Sequence, residues 1–533
     1  MENNKNEQVK PKRVSIVNAA FLLMGATFIG QILGFLRTKL VNANFPITGP
    51  HGTDAYFAAF NVPDFFFFTL SAGVIGVSVM PILADRITSV GIGYMWKLVS
   101  SLLNFLSLIM LFVAIVIIIF ADQLIRYVVA PNLSPAEVHT AATIMRLLAF
   151  NPLLFTVSGL LTAAQQTMGR FFFYAITPIV YNASIIVSIF IFRFNIGLVG
   201  LGIGALVGAI LQLLIVCLGL LKSDFSWTPK IMYRAKDFRA VLRNLPPRSL
   251  DQGMDQVEGI VETNIASGIS SGAISYYNNA YILSTAPILL LGTAISTAAF
   301  PRLNRKLSEG KPEEFRSDFR KILTVLIWIS APVIVICYFA RGYLARLIFS
   351  RGNEQISLIF GFLCFAIFFR IVYSMISRWF YSHKDTKTPL FVSIFTIGLN
   401  IILAFNLSRP GAYGLAGLAI AQSIVAASEV IILTSIMAMR DREIFDVKFF
   451  KGMLKIISVT GFNIVAGFIM ISAFPLLTKD KGFFQLGLKF SLITFVVFAV
   501  HLLISRALQL EEAAPVFQRI KKLVIRPIRI EEL

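Results

Sequence analysis

Four carboxylates follow one another along a segment that is otherwise apolar enough to cross a membrane. Spacings of four, three and four residues place them on one helix face; they are Asp251, Asp255, Glu258 and Glu262. A carboxylate at mid-bilayer depth costs about 2.5–3.5 kcal/mol, so such acids usually line a cavity and serve a function. This acid stripe therefore indicates a protein that moves a solute or an ion, and not a passive anchor.

The acid stripe is expected to bind or exchange a cation. Four like charges on one face repel one another, so at least one acid should hold a proton or coordinate a cation such as Na⁺. The alternative is that Asp251 and Asp255 face water and that only Glu258 and Glu262 are buried. Both interpretations stay open at the level of the sequence.

The elements that position these acids are predicted to be membrane-spanning helices. Of the 533 residues, 56% are hydrophobic and only 14% are charged, whereas a soluble domain has about 25% charged residues. Apolar stretches of about 20 residues, the length that spans a bilayer, recur from end to end. This predicts an all-α polytopic membrane protein with about fourteen transmembrane helices. Strands of a membrane barrel would alternate polar and apolar residues, which these segments do not.

The net charge of +20 comes from Lys and Arg clustered in alternate loops. Such clusters are typical of cytoplasmic loops, and they place both termini in the cytoplasm. The charge therefore does not indicate a nucleic-acid partner. Three Cys residues show no pairing pattern, the four His residues form no metal-binding motif, and no nucleotide-binding loop is found. An enzyme and a resident cofactor are accordingly not expected.

The chain also repeats itself. Residues 55–87 align with 275–307 without a gap, so that Pro81 matches Pro301 and Arg86 matches Lys306. Parallel repeats are typical of transporters whose two lobes rock around a central site. The predicted organisation is a cytoplasmic segment 1–14, a six-helix N-lobe 15–221, a basic loop 222–245, a homologous six-helix C-lobe 246–438, two further helices within 439–508 and a basic tail 509–533.

Four groups of motifs resemble the MurJ family of lipid II flippases, within the larger MOP superfamily that includes the MATE exporters. They are Gln31-Ile-Leu-Gly-Phe-Leu-Arg37 with Asp54-Ala-Tyr-Phe-Ala-Ala-Phe60, Pro152-Leu-Leu-Phe155 with Pro178-Ile-Val-Tyr-Asn182, Gly272-Ala-Ile-Ser-Tyr276 with Phe300-Pro301-Arg-Leu303, and Arg378-Trp-Phe-Tyr-Ser-His-Lys-Asp385-Thr-Lys-Thr-Pro389. Together they extend over most of residues 15–440. The chain is similar to a divergent member of that family.

The resemblance implies a cationic cavity between two lobes and two further helices that form a lipid-facing groove. Arg37 matches a cavity arginine of the family, and Asp54 matches the acid of its second helix. Several expected cations are absent: the family usually has Arg at Gln31, an Arg pair at Phe67-Phe68 and an Asp-Arg pair at Tyr281-Ile282. Phosphate binding needs positive charge or aligned donors. Either other residues supply that charge or the substrate differs.

Candidate substrate-binding residues are Arg37, Asp54, Gln31 and Arg146. Arg37 would hold a phosphate through two parallel hydrogen bonds, unless it only extends to the membrane interface. Asp54 would partner Arg37 or a substrate group, or would cap the second helix. Arg146 would replace lost cavity charge. Arg378, near the cytoplasmic end of its helix, is expected to neutralise Asp385 or a lipid phosphate.

Two further polar residues are candidate partners of the acid stripe. Some members of the family that this chain resembles hold a cation between the corresponding helix and the eleventh and twelfth helices. The resemblance therefore implies Asn400 and Glu429 as ion-coupling residues, together with the four acids of the stripe. Na⁺ or H⁺ would be the coupling ion, and the membrane potential is an alternative driving force.

The resemblance implies a flippase of the bacterial cytoplasmic membrane that carries lipid II, the lipid-linked peptidoglycan precursor, by alternating access. Its partners would be that precursor, membrane lipids and cell-wall synthesis proteins. The missing arginines leave three alternatives open. These are a flippase for another polyprenyl-linked saccharide, a cation-coupled exporter of amphiphilic cations, and a non-transporting membrane scaffold.

Overall fold

The protein is built of α-helices. The structure, a computed structural model, describes residues 16–72, 79–221, 223–409, 411–477, 480 and 482–514, with side chains except at 16–24, 71–72 and 244–252. No β-strand occurs in these ranges, so the all-α prediction is confirmed. The predicted segment 1–14 and residues 515–533 of the predicted tail lie outside the described residues. The chain divides into two compact units, Met1–Asn264 (unit 1) and Ile265–Leu533 (unit 2).

The described part of unit 1 holds eight helices and most of a ninth. They are α1 (Ile16–Asn44), α2 (Asp54–Phe67), α3 (Met80–Ser89), α4 (Ile92–Gln123), α5 (Pro135–Leu148), α6 (Asn151–Thr167), α7 (Phe172–Phe192), α8 (Val199–Leu218) and α9 (Lys236–Ser267). The boundary between the units falls inside α9, a helix that the sequence analysis assigned to the C-lobe. The predicted lobe boundaries stay a prediction.

The described part of unit 2 holds the remaining nine helices. They are α10 (Ala273–Pro287), α11 (Ala294–Ser308), α12 (Pro312–Phe339), α13 (Arg341–Ile348), α14 (Asn353–Ser382), α15 (Lys387–Leu407), α16 (Leu415–Arg440), α17 (Val447–Ala473) and α18 (Phe483–Ala507). A short 3₁₀ turn, Glu511–Ala513, follows α18.

Local signals explain several helix starts. Ser134 and Glu137 form a capping box at the start of α5, with the Ser134 N–H donating to the Glu137 carboxylate at 2.9 Å. Asp446 caps α17 by accepting from the Phe449 N–H at 2.7 Å. Each cap satisfies amide groups that the first helical turn leaves without partners. These caps fix where the two helices begin.

The repeat predicted from the sequence is visible in the helix geometry. α2 passes into a π-helical segment at Phe68–Ala72, and α10 does the same at Ile288–Thr293. Phe68 and Ile288 are aligned positions of the repeat. Four packed helix pairs also recur: α2–α5 as α10–α14, α4–α6 as α12–α14, α6–α8 as α14–α16, and α7–α8 as α15–α16. The two units therefore share one packing plan.

Eleven helical stretches of the described residues are long and apolar enough to cross a membrane. The predicted first, second and seventh spans are not among them. α1 and α2 adjoin residues outside the described ranges, and α9 carries the acid stripe, which lowers its hydropathy. A multi-pass helical membrane protein is thus confirmed, while the number of about fourteen spans stays a prediction.

Candidate functional site

Arg37 lies at the centre of a polar group in unit 1. The residue is half-buried on α1, and its guanidinium has no hydrogen-bonded partner among the residues that the structure describes. Its charge acts on Asp64 of α2 and on the hydroxyls of Tyr56 and Tyr181. Tyr181 belongs to α7, which packs directly against α1. The site therefore combines one cation, one carboxylate and two phenol hydroxyls from three helices.

Tyr56 is the member of this group whose side chain is buried with an unsatisfied hydroxyl among the described residues. A buried polar group without a partner costs free energy, so such groups often bond to a ligand or to water. Tyr56 is thus placed to donate a hydrogen bond to a molecule held near Arg37.

Gln31 and Asp54, the other two candidates near this group, differ in burial. Gln31 is exposed on α1. Asp54 is buried and is the first residue of α2, with Thr53 as the N-cap. A carboxylate at that position is stabilised by the positive end of the helix dipole, so the expected cap is only displaced by one residue. The carboxylate on which Arg37 acts is Asp64, which the sequence analysis did not select.

The acid stripe on α9 divides into an exposed and a buried part. Asp255 is exposed, whereas Glu258 and Glu262 are buried, at 9% and 7% exposure. The side chain of Asp251 lies outside the described side chains. This distribution agrees with the alternative in which only Glu258 and Glu262 are buried. Intramembrane carboxylates that stay buried are the stronger candidates for function.

A hydrogen bond joins the buried end of the stripe to α2. The Thr263 hydroxyl donates to Asn61 Oδ1 at 3.3 Å and to the Gly259 carbonyl at 2.8 Å. Asn61 lies one helical turn before Asp64, and Thr263 directly follows Glu262. The predicted substrate group and the predicted coupling acids therefore lie on contacting helices of unit 1.

Arg146 already has protein partners. Its guanidinium forms an ion pair with Asp122 of α4 and donates from Nε to the Ile118 carbonyl at 3.2 Å. These contacts tie α5 to α4 and account for a charge within an apolar stretch. The predicted role of Arg146 in substrate binding stays a prediction without support from its contacts.

Unit 2 buries a separate polar network around Glu429. The Ser393 hydroxyl of α15 donates to Glu429 Oε1 of α16 at 2.7 Å. Arg370 of α14 donates to Gln422 Oε1 at 2.8 Å, and its charge also acts on Glu429. Asn400, the other predicted coupling residue, is fully buried on α15. The network joins the three helices that form the centre of unit 2.

A sodium ion does not fit well at Glu429. Arg370 already supplies positive charge there, and one carboxylate oxygen accepts the Ser393 hydroxyl. A second cation would be repelled by the guanidinium. Among the described residues, no group of three or more His, Cys, Asp or Glu side chains is arranged to hold a metal ion. Like Asp64, Arg370 is a charged residue that the sequence analysis did not select, because its partners lie on other helices.

Of the two partners predicted for Arg378, Asp385 is wrong, and a lipid phosphate stays a prediction. The cation at Asp385 is Arg440, which donates to the carboxylate at 2.5 Å. Arg378 instead donates to the Thr297 hydroxyl at 3.2 Å and lies over the Phe300 ring, 5.3 Å from its centroid. Helix spacing alone could not show this, because Arg440 is 55 residues away in the sequence.

Comparison with known proteins gives one consistent result. The family model described as lipid II flippase MurJ matches residues 51–498. A probable lipid II flippase MurJ of Borreliella burgdorferi is 25% identical over 480 residues, covering 88% of this chain and 91% of the relative. One from Bdellovibrio bacteriovorus is 24% identical over 453 residues, covering 80% and 83%. A solved structure of lipid II flippase MurJ in an inward closed conformation matches with a TM-score of 0.75 at 22% identity, covering 92% of this chain and 99% of that one.

Proposed function

Because the chain belongs to the MurJ family of lipid II flippases, we propose that it moves lipid II across the bacterial cytoplasmic membrane by alternating access. The matched residues, 51–498, extend from α2 through most of α18. The protein is a multi-pass membrane transporter of this family. The headgroup would enter from the cytoplasmic side while the polyprenyl tail stays in the bilayer.

The observation that carries the proposal is Arg37 with its open guanidinium. A lipid-linked pyrophosphate needs positive charge or aligned donors, and an Arg fork matches phosphate oxygens with two parallel hydrogen bonds. The Tyr56 hydroxyl, buried and without a described partner, adds a donor beside it. These two groups support a pyrophosphate site in unit 1 despite the arginines that the sequence lacks.

Asp64 gives the site a second state. In the structure the charge of Arg37 acts on the carboxyl group of Asp64. A pyrophosphate that enters would replace Asp64 as the partner of the guanidinium, and its departure would return Arg37 to Asp64. We infer that this exchange keeps binding moderate, so that the substrate is released on the far side of the membrane.

The buried acids of α9 are proposed to couple the return step. Glu258 and Glu262 lie next to the Asn61–Thr263 bond that joins α9 to α2. Movement of charge across the membrane is worth about 2.3 kcal/mol per elementary charge per 100 mV. A proton or cation at these acids, or the membrane potential itself, would therefore suffice to drive a cycle. Both termini are proposed to be cytoplasmic, because the basic loops alternate along the chain.

The test is binding of purified protein to lipid II and to other undecaprenyl-pyrophosphate glycans, measured by native mass spectrometry. Arg37→Ala and Tyr56→Phe are compared with Arg378→Ala, which removes an arginine whose contacts lie in unit 2. We expect selective lipid II binding that falls about tenfold or more in Arg37→Ala, because a charge-assisted hydrogen bond is worth roughly 1.5–3 kcal/mol. Arg378→Ala should bind like the parent protein.

Absence of lipid II binding by folded protein would refute the proposal. Binding of a different polyprenyl-linked glycan would favour the second candidate function, a flippase for another polyprenyl-linked saccharide. The observation behind that candidate is that Arg37, the arginine of the site, has an acid, Asp64, near it. Binding that is equally reduced in Arg37→Ala and Arg378→Ala would place the site outside the group around Arg37.

A further inference from the structure

A basic cavity lies at one end of unit 2, away from the polar network around Glu429. It has a volume of about 320 Å³ and lies among the first turns of α12, the first turns of α17 and the turn that follows α18. Five basic and three acidic side chains line it: Arg320, Lys321, Lys448, Lys451, Lys455, Asp446, Glu511 and Glu512. The lining therefore carries an excess of positive charge.

Two of the five cations are held by protein acids. Arg320 pairs with Asp446 at 3.3 Å, and Lys448 pairs with Glu511 at 2.7 Å. Arg320 also donates to the Glu443 carbonyl at 2.9 Å. These contacts join the segments that line the cavity to one another.

The other three cations, Lys321, Lys451 and Lys455, form no ion pair with the part of the chain that the structure describes. The hydrogen bond from Lys448 lowers the pKa of Glu511, and Lys321 and Lys455 lower it further through their charge. The ammonium groups of both lysines therefore lie close to Glu511. Three lysines that form no direct ion pair with the described residues therefore line the cavity, where an anionic ligand could contact them.

An apolar face of α17 begins beside the cavity. Phe450, Leu454 and Ile457 are large exposed apolar residues on that helix, and they alternate with Lys451 and Lys455. A soluble anion would make no favourable contact with this apolar face. A lipid would contact it with acyl chains while its anionic headgroup lies in the cavity. Basic residues next to apolar helix surface are typical of sites that bind anionic lipid headgroups.

We propose that this cavity binds the phosphate of an anionic diacylglycerol lipid of the membrane leaflet on the side of the basic loops. Lys321, Lys451 and Lys455 would contact the phosphate, and the acyl chains would lie along Leu454 and Ile457. Leu510 and Ala513, after α18, pack against Trp328 and Ile456 of α12 and α17. A bound lipid would therefore hold together the ends of α12, α17 and α18.

The test compares the purified full-length protein in nanodiscs of phosphatidylcholine and of phosphatidylcholine with phosphatidylglycerol. The readouts are thermal stability and the phosphatidylglycerol retained on detergent extraction, by native mass spectrometry. The variant carries Lys321→Gln, Lys451→Gln and Lys455→Gln. Its control carries Lys97→Gln, Lys230→Gln and Lys236→Gln, an equal charge loss at exposed positions outside the cavity.

We expect retention of phosphatidylglycerol to fall about tenfold or more in the cavity variant and to change little in the control. Stabilisation by phosphatidylglycerol should also be lost only in the cavity variant. An equal loss in both variants would overturn the proposal in favour of general surface attraction. Stabilisation of the detergent-solubilised protein by inorganic phosphate to the same extent as by the lipid would also overturn it, because the ligand would then be a free phosphate.

Discussion

The two units share a packing plan but place their buried charges differently. Position 64 of unit 1 is an acid on which the charge of Arg37 acts. The aligned position of unit 2 is Ser284, whose hydroxyl donates to the Tyr281 carbonyl at 2.6 Å. Unit 2 carries its own charge pair, in which the half-buried Arg370 acts on the buried Glu429. Among the described residues, the arginine of unit 1 has no hydrogen-bonded partner, whereas the arginine of unit 2 donates to Gln422.

At the ends of the helices the two units resemble each other, because aligned basic residues form similar ion pairs. Arg86 of unit 1 holds Asp237 at 2.9 and 3.0 Å, and its repeat partner Lys306 holds Asp318 at 2.7 Å. Charges at helix ends are conserved in role between the units, and charges inside the bundles are not. The difference indicates that the first set maintains the fold and that the second set is where the units specialise.

The largest expected effect is on unit 2. Arg370→Gln should lower the free energy of unfolding by about 3 kcal/mol, because it leaves Glu429 buried without its counter-charge. Denaturant unfolding of the detergent-solubilised protein, followed by intrinsic fluorescence, measures this. The double variant Arg370→Gln/Glu429→Gln should recover most of the loss. A double variant no more stable than Arg370→Gln would show that Glu429 is not the group that Arg370 compensates.

The next effect is on unit 1. Asp64→Asn should increase lipid II affinity about tenfold, since it removes the carboxylate that competes with phosphate for Arg37 and one charge contact is worth roughly 1–2 kcal/mol. Native mass spectrometry with lipid II measures the change. The matched control is Ser284→Ala at the aligned position of unit 2, which should leave affinity unchanged. Weaker binding by Asp64→Asn would mean that Asp64 positions the guanidinium and does not compete with the substrate.

Composition and periodicity predicted the fold class because hydropathy is local. A run of apolar residues long enough to span a bilayer forms a helix whatever its neighbours are. The repeat was also readable, since Pro81 and Pro301, and Arg86 and Lys306, keep their spacing across the two halves. The hydropathy pattern and the repeat can both be read from the order of residues along the chain alone.

The charge partners could not be predicted in this way. Asp64 with Arg37, Arg370 with Glu429, and Arg440 with Asp385 join positions on different helices. Which residues meet depends on helix rotation and tilt, which packing sets and sequence spacing does not. The acid stripe was found because its four members share one helix, and its division into exposed and buried parts needed the three-dimensional structure.

A smaller effect tests the repeated role of the helix-end acids. Asp237→Asn and Asp318→Asn should each lower Tm by about 2–4 °C, because each removes the charge that fixes two or more hydrogen bonds at a helix end. Differential scanning fluorimetry of the two variants in the same detergent gives the comparison. A loss confined to one unit would show that the aligned basic residues Arg86 and Lys306 have diverged in role.

The smallest effect concerns the contact between two consecutive helices of each unit, α7 with α8 in unit 1 and α15 with α16 in unit 2. The two units make this contact in different ways. In unit 2, Arg440 at the end of α16 binds Asp385 before α15. In unit 1, Arg170 before α7 donates to the Gly219 and Leu221 carbonyls after α8, at 3.1 and 2.9 Å. The first contact needs an ionised acid, whereas the two carbonyls of the second accept hydrogen bonds at any pH. Acid should therefore weaken the contact in unit 2 and leave that in unit 1 unchanged.

The pKa of Asp385 gives the window for this test. Burial raises that pKa, but hydrogen bonds from Thr388 and Arg440 outweigh burial and lower the pKa to about 2. Because the folded value lies below the unfolded value of about 3.9, the stabilisation is present above pH 4 and is lost as the pH falls towards 2. Arg440→Gln should lower Tm by about 2 °C at neutral pH and by less at pH 3. Arg170→Gln removes two hydrogen bonds to carbonyls, so its effect on Tm should depend less on pH. Equal pH dependence in the two variants would remove the distinction between the units.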